Sequence, residues 1–89
     1  MDINEARAKI EVIDKEMAKL FEERMECAKA IAEYKMANKM PIFDAVRESQ
    51  LLEKNTAYIS NDNMKDYYRD YLIGVMGVSK QYQADIINR

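Results

Sequence analysis

The stretch from residue 4 to residue 38, NEARAKIEVIDKEMAKLFEERMECAKAIAEYKMAN, decides the fold. It contains no glycine or proline, and residues that favour helices dominate it. Apolar or amphipathic side chains recur at alternating intervals of three and four, which is the spacing of one helix face. The members of this face are Ile3, Ala6, Ile10, Ile13, Met17, Leu20, Arg24, Cys27, Ile31 and Tyr34. The pattern predicts one very long helix that ends before Pro41, with Arg24 as the single charged residue on its apolar face.

Two shorter helices are predicted after this one. In PIFDAVRESQLLEKN (41–55), Asp44 is a good N-cap for a helix that ends near residue 58. SNDN (60–63) predicts a turn. The third helix carries one side composed of Met64, Tyr68, Tyr71, Leu72, Val75, Met76, Ser79, Tyr82, Gln83 and Ile86. We therefore predict an all-α chain of three helices that forms a single domain over residues 1–89.

The length of the first helix predicts an oligomer. A helix of about 35 residues is about 50 Å long, whereas a compact chain of this size has a radius of gyration of about 12 Å. Two shorter helices cannot cover the whole apolar face of such a helix. We therefore expect an intertwined homodimer in which the long helices of two chains pair.

Composition excludes several classes of function. The chain has no histidine and one cysteine, which rules out a histidine-ligated zinc site, a histidine general base and an internal disulfide. Cys27 lies on the apolar face, so we expect a buried, unreactive thiol. The net charge of −2 argues against general binding to nucleic acid or to anionic membranes. With a charged N-terminal segment and no apolar run of about 20 residues, we expect a cytoplasmic protein.

Several polar side chains lie where apolar ones are expected. Arg24 and Lys35 are three turns apart and within about 20° of each other on one helix face. Arg24 alone can be explained as a residue that sets the register of paired helices, and Lys35 as one that extends to solvent. Ser79 and Gln83 interrupt the apolar side of the third helix, where buried polar groups need partners.

The start of the second helix adds two more charged groups, Arg47 and Glu48. Since all three helices thus place hydrogen-bonding groups toward the predicted core, the pattern favours a small polar ligand enclosed by the bundle. Arg7 lies about 25 Å along the helix from Arg24. Taken alone, Arg7 can be explained as a solvated surface residue. It reaches such a site only in the other chain of an antiparallel dimer.

These residues form a recognisable set of motifs. The sequence contains R-x-x-I-x-x-I-D from Arg7, then E-R at 23–24, a lysine at 35, P-I-x-D-x-x-R-E at 41–48 and S-x-x-x-Q at 79–83. In this order and at these intervals the motifs resemble the all-helical, AroQ-type chorismate mutases. The resemblance implies an isomerase that converts chorismate to prephenate for phenylalanine and tyrosine biosynthesis. It also implies an intertwined dimer of three-helix chains with two sites, and neither a cofactor nor a metal.

The resemblance further implies a role for each motif residue. Arg24 resembles the arginine that binds one substrate carboxylate, and Arg7 the one supplied across the dimer to the other carboxylate. Lys35 and Gln83 match the catalytic pair that hydrogen-bonds the ether oxygen.

The remaining implied roles concern substrate binding. Glu48 matches the group that holds the ring hydroxyl, and Asp44 and Arg47 line that end of the site. Ser79 matches a contact to a carboxylate.

Two other functions stay open at this point. An isochorismate pyruvate-lyase would share the fold and much of the cationic pocket. A non-catalytic helical dimerisation module would use Arg24 only to fix the pairing of helices.

Overall fold

The computed structural model describes residues 1–88 and consists of three α-helices and one short 3-10 turn. The helices are α1 (Ile3–Ala37), α2 (Ala45–Thr56) and α3 (Lys65–Ile87), and the turn is Asp62–Met64. The described part of the chain contains no β-strand. The predicted all-α fold with a very long first helix is confirmed.

Side-chain hydrogen bonds cap both ends of α1. The carboxylate of Asp2 accepts a hydrogen bond from the backbone N–H of Glu5 at 2.8 Å and begins α1. At the other end the side-chain amide of Asn38 donates to the carbonyl of Tyr34 at 2.8 Å. These bonds satisfy backbone groups that a helix end leaves without partners. They place the two ends of α1 within a residue of the predicted ends.

The second helix begins as predicted and ends earlier. Asp44 is its N-cap and accepts from the backbone N–H of Arg47 at 3.0 Å. The helix ends at Thr56 rather than near residue 58. The predicted turn is present, with the Asn61 side chain accepting from the backbone of Asn63 at 3.0 Å.

The core lies where α1 and α2 each pack against α3. Its buried apolar residues are Ala28, Ala32, Leu72, Met76 and Ile86. The expectation that Cys27 is buried is wrong for the single chain, because its thiol is exposed. The reason is geometric: α3 packs against the side of α1 that carries the two alanines, which lie about 100° and 140° around the helix from Cys27.

The molecule is elongated because half of α1 extends beyond the rest of the chain. The radius of gyration is 16.0 Å and the extents are 52 × 26 × 14 Å, against about 12 Å for a compact chain of this size. Leu20 is 60% exposed and Ile10 is 53% exposed. The apolar face of α1 is therefore uncovered over much of its length, as predicted for one isolated chain. None of the helices in the described residues is long and apolar enough to cross a membrane.

Candidate active site

A cavity of about 420 Å³ lies among the second half of α1, the first two turns of α2 and the second half of α3. Seven of the eight predicted site residues line it: Arg24, Lys35, Asp44, Arg47, Glu48, Ser79 and Gln83. Asp44 and Arg47 are exposed and lie at its rim, whereas Gln83 is buried. The volume is within the range of small-molecule sites.

Arg24 is the charged residue that interrupts the apolar face of α1, and it is half-buried at the cavity. In the described part of the chain no carboxylate forms a salt bridge with its guanidinium. The cation is therefore not neutralised by the protein's own acids. A half-buried guanidinium beside open space can bind an anionic ligand with two parallel hydrogen bonds.

Lys35 is fixed at the end of α1 by the loop that follows. Its ammonium donates a hydrogen bond to the backbone carbonyl of Ile42 at 2.8 Å, and both residues line the cavity. Since an ammonium has three N–H donors, two remain for a ligand or water. The loop thus prevents Lys35 from extending into solvent and keeps its charge at the cavity.

Gln83 is the buried polar residue in the apolar side of α3. It is 6% exposed, and its Nε2 donates to Oγ of Ser79 at 3.2 Å. Its Oε1 is buried and has no hydrogen-bond partner among the described residues. A buried amide with one unpartnered atom next to a cavity indicates a group that is completed by a ligand or by water.

Lys80 is a cavity residue that the sequence analysis missed. Its Nζ lies 3.0 Å from Oε1 and 3.4 Å from Oε2 of Glu48, and 5.0 Å from the centre of the Phe43 ring. Lys80 is outside the predicted apolar side of α3 and was not among the predicted site residues. The available signal was its position three residues before Gln83, which places the two side chains near each other on the helix.

Most of the chain also matches a known protein family. Residues 6–84 match the model of the family described as chorismate mutase type II. This chain belongs to that family. A search of curated proteins found no match.

The family assignment confirms the predicted class of enzyme. A type II chorismate mutase is an isomerase of the all-helical, AroQ class. All the predicted site residues lie within the matched span, since the first is Arg7 and the last is Gln83. The family assignment therefore favours an enzyme over a non-catalytic dimerisation module.

The charge at the cavity of this chorismate mutase suits an anionic substrate. Its charged lining comprises the four cations Arg24, Lys35, Arg47 and Lys80 and the two carboxylates Asp44 and Glu48. The lining therefore carries two net positive charges although the whole chain carries −2. The electrostatic field of such a lining attracts a dianion, although the net charge of the protein is negative.

Arg7 is the predicted residue that the single chain does not bring to the cavity. Its side chain is exposed near the start of α1, and it is not among the residues that line the cavity. About 25 Å of helix separate it from Arg24. Within one chain the site therefore has a single arginine on α1.

Proposed function

We propose that this chorismate mutase rearranges chorismate to prephenate in the cavity around Arg24, Lys35 and Gln83. One observation carries the proposal: three polar groups border the same cavity. They are the guanidinium of Arg24, which forms no salt bridge in the described chain, the ammonium of Lys35, and the buried amide of Gln83, whose oxygen has no hydrogen-bond partner among the described residues. The reaction breaks one C–O bond and forms one C–C bond within the same molecule. It needs no nucleophile, metal or proton transfer, which suits a chain without histidine.

The first task of the protein is to hold a flexible dianion in its compact, reactive conformation. Forked hydrogen bonds from arginine to carboxylate fix both position and orientation. We assign one substrate carboxylate to Arg24, assisted by Ser79. The second carboxylate is assigned to the partner subunit's Arg7.

The second task is to stabilise the negative charge that grows on the ether oxygen as its bond to carbon stretches. A fixed ammonium and an amide N–H can do this without reorganising, and they act more strongly where water is excluded. Lys35 is already fixed through Ile42, and Gln83 is buried and lines the same cavity. We therefore assign catalysis to Lys35 and Gln83.

The ring hydroxyl is assigned to the end of the cavity formed by α2. Glu48 has a half-buried carboxylate there and is an acceptor for a hydroxyl donor. Asp44 and Arg47 form the exposed rim of that end.

The proposed site needs a second chain, and the exposed surface supports a homodimer. In addition to the uncovered apolar face of α1, a second groove of about 440 Å³ lies between α1 and α3. Its apolar lining includes Phe21, Met25, Tyr71, Val75 and Val78. A dimer that pairs the long helices would cover these surfaces and bring the partner subunit's Arg7 to the cavity.

The direct test is the turnover of chorismate, followed by the loss of its ultraviolet absorbance. We expect Lys35→Ala to lower kcat by about 10²–10³, the usual loss when one oxyanion donor is removed. Lys29→Ala is the matched control, because Lys29 is exposed on the same helix and does not line the cavity.

Near-normal turnover by the Lys35→Ala enzyme would refute the assignment of Lys35. Isochorismate is assayed in parallel, since release of pyruvate from it at the rate of the mutase reaction would instead favour a lyase.

A further inference from the structure

Lys80 and Glu48 form an ion pair that joins α3 to α2 at the cavity. The ammonium contacts both carboxylate oxygens, at 3.0 Å and 3.4 Å. The Lys80 side chain is 38% exposed and that of Glu48 is 22% exposed. Because both partners are half-buried, solvent and salt screen this pair less than a pair at the surface.

A second contact restrains the lysine further. Its ammonium lies 5.0 Å from the centre of the Phe43 ring, close enough for a cation–π interaction. Phe43 immediately precedes the N-cap of α2, so the loop and the helix both hold the same ammonium. Lys80 is therefore directed at Glu48 rather than free to follow a ligand.

Without the ion pair to Lys80, the negative charge of Glu48 would hinder the binding of a dianionic substrate. Its carboxylate lines a cavity that receives a dianion, and like charges in a half-buried site repel each other. The same carboxylate is free to rotate once its ion-pair partner is removed. Both its charge and its orientation toward a hydroxyl donor thus depend on Lys80.

We propose that Lys80 is a positioning residue for the mutase reaction. It offsets the charge of Glu48 beside the dianionic substrate and directs the carboxylate at the ring hydroxyl. Lys80 itself touches neither substrate carboxylate. The inference rests on the proposed function, because it takes Glu48 as the group that holds the hydroxyl.

The test is a double-mutant cycle on the intact enzyme, using Lys80→Met, Glu48→Gln and the double variant. If Lys80 acts through Glu48, Lys80→Met lowers kcat/KM roughly 10-fold or more with Glu48 present. In the Glu48→Gln background the same substitution changes kcat/KM by no more than about 2-fold, since no charge is left to offset. Most of the loss in the single variant falls on KM, because the repulsion acts on bound substrate and transition state alike.

Two controls separate positioning from a purely structural role. Lys80→Arg keeps the cation and is expected to restore most of kcat/KM. Lys65→Met removes a lysine that also makes a 3.0 Å ion pair and is also 38% exposed, but whose partner Asp62 is 87% exposed and does not line the cavity. It is expected to leave kcat/KM unchanged, and thermal unfolding is measured for every variant.

Two results would overturn the inference about Lys80. One is an equal loss in both backgrounds, which would mean that Lys80 contacts the substrate directly. The other is no loss in the single variant.

Lys35→Ala is assayed in the same series so that the two proposals are judged separately. Full activity of Lys35→Ala together with coupling between Lys80 and Glu48 would overturn the catalytic assignment and retain the positioning role. Loss of activity in Lys35→Ala without coupling between Lys80 and Glu48 would retain the catalytic assignment of Lys35 and overturn the positioning role of Lys80.

Discussion

Gln83 donates from Nε2 to the hydroxyl oxygen of Ser79 at 3.2 Å, while its own Oε1 is buried without a partner in the described chain. Rotation of the terminal amide by half a turn exchanges these two atoms. The Ser79 hydroxyl can then donate to Oε1, because a hydroxyl both donates and accepts. Nε2 then no longer donates to Ser79, so both of its N–H groups become available, and under the proposed function one of them donates to the ether oxygen.

This relationship predicts that Ser79 affects the chemical step. We expect Ser79→Ala to lower kcat about 10-fold, the equivalent of one hydrogen bond, since Gln83 loses the group that orients its amide. Ser79→Thr retains the hydroxyl and should recover much of the rate. Ser49→Ala, an exposed serine on α2, is the control. A loss confined to KM would instead identify Ser79 as a carboxylate contact only.

The amide at position 83 also predicts the effect of pH. An amide donates at any pH, whereas the carboxyl of a Gln83→Glu variant donates only when protonated. The cations Arg24 and Lys35 at the same cavity favour the ionised form of that carboxyl. We therefore expect kcat/KM of the variant to be well below that of the wild type at neutral pH and to rise as pH falls.

The matched control for this profile is Gln50→Glu, which makes the same change of charge at an exposed site on α2. Its kcat/KM should follow that of the wild type over the pH range in which both remain folded. A flat profile for Gln83→Glu would exclude donation from this position.

The two N-caps provide a prediction that separates stability from activity. Asp2 and Asp44 each accept from a backbone N–H, at 2.8 Å and 3.0 Å, but only Asp44 lines the cavity. Replacing either by alanine should reduce the free energy of unfolding by about 1 kcal/mol. Only Asp44→Ala should also change KM, because it removes a carboxylate at the rim.

Asp44→Asn keeps a good N-cap and removes the charge. Its unfolding midpoint in urea should stay near that of the wild type while KM changes. Equal kinetics for Asp2→Ala and Asp44→Ala would show that the rim carboxylate plays no part in binding.

The sequence predicted the helices and seven of the residues that line the cavity for the same reason. Caps such as Asp44 and the spacing from Arg24 to Lys35 are local, and a helix converts local spacing into a shared face. Gln83 was found because a polar residue within an apolar pattern stands out. These signals depend on one helix at a time.

Features that depend on the packing of two helices were not predicted. Cys27 was assigned to the core because it continues the apolar spacing of α1, yet α3 packs on the adjacent alanines. Lys80 has the sequence context of a surface residue, and only the position of α2 beside α3 pairs it with Glu48. The spacing of one helix does not specify which of two neighbouring faces its partner covers.

The proposed exchange of Arg7 between chains predicts complementation. Arg7→Ala and Arg24→Ala should each lower kcat/KM by at least about 10²-fold, because each removes a charged hydrogen-bond partner of a substrate carboxylate. In a dimer with one subunit of each kind, one site lacks both arginines and the other has both. Mixing the two inactive proteins and allowing subunits to exchange should therefore restore about half of the wild-type activity per heterodimer.

Exchange is followed with subunits of different tags, and the control mixes Arg24→Ala with Lys35→Ala. Both of those residues belong to the same chain's cavity, so each site of that heterodimer lacks one of them and no activity should return. The unfolding midpoint should also rise with protein concentration, as for any chain that folds as a dimer. Complete exchange without recovery of activity would place Arg7 outside the site. Arg7 would then be a surface residue in the working enzyme, as it is in the single chain.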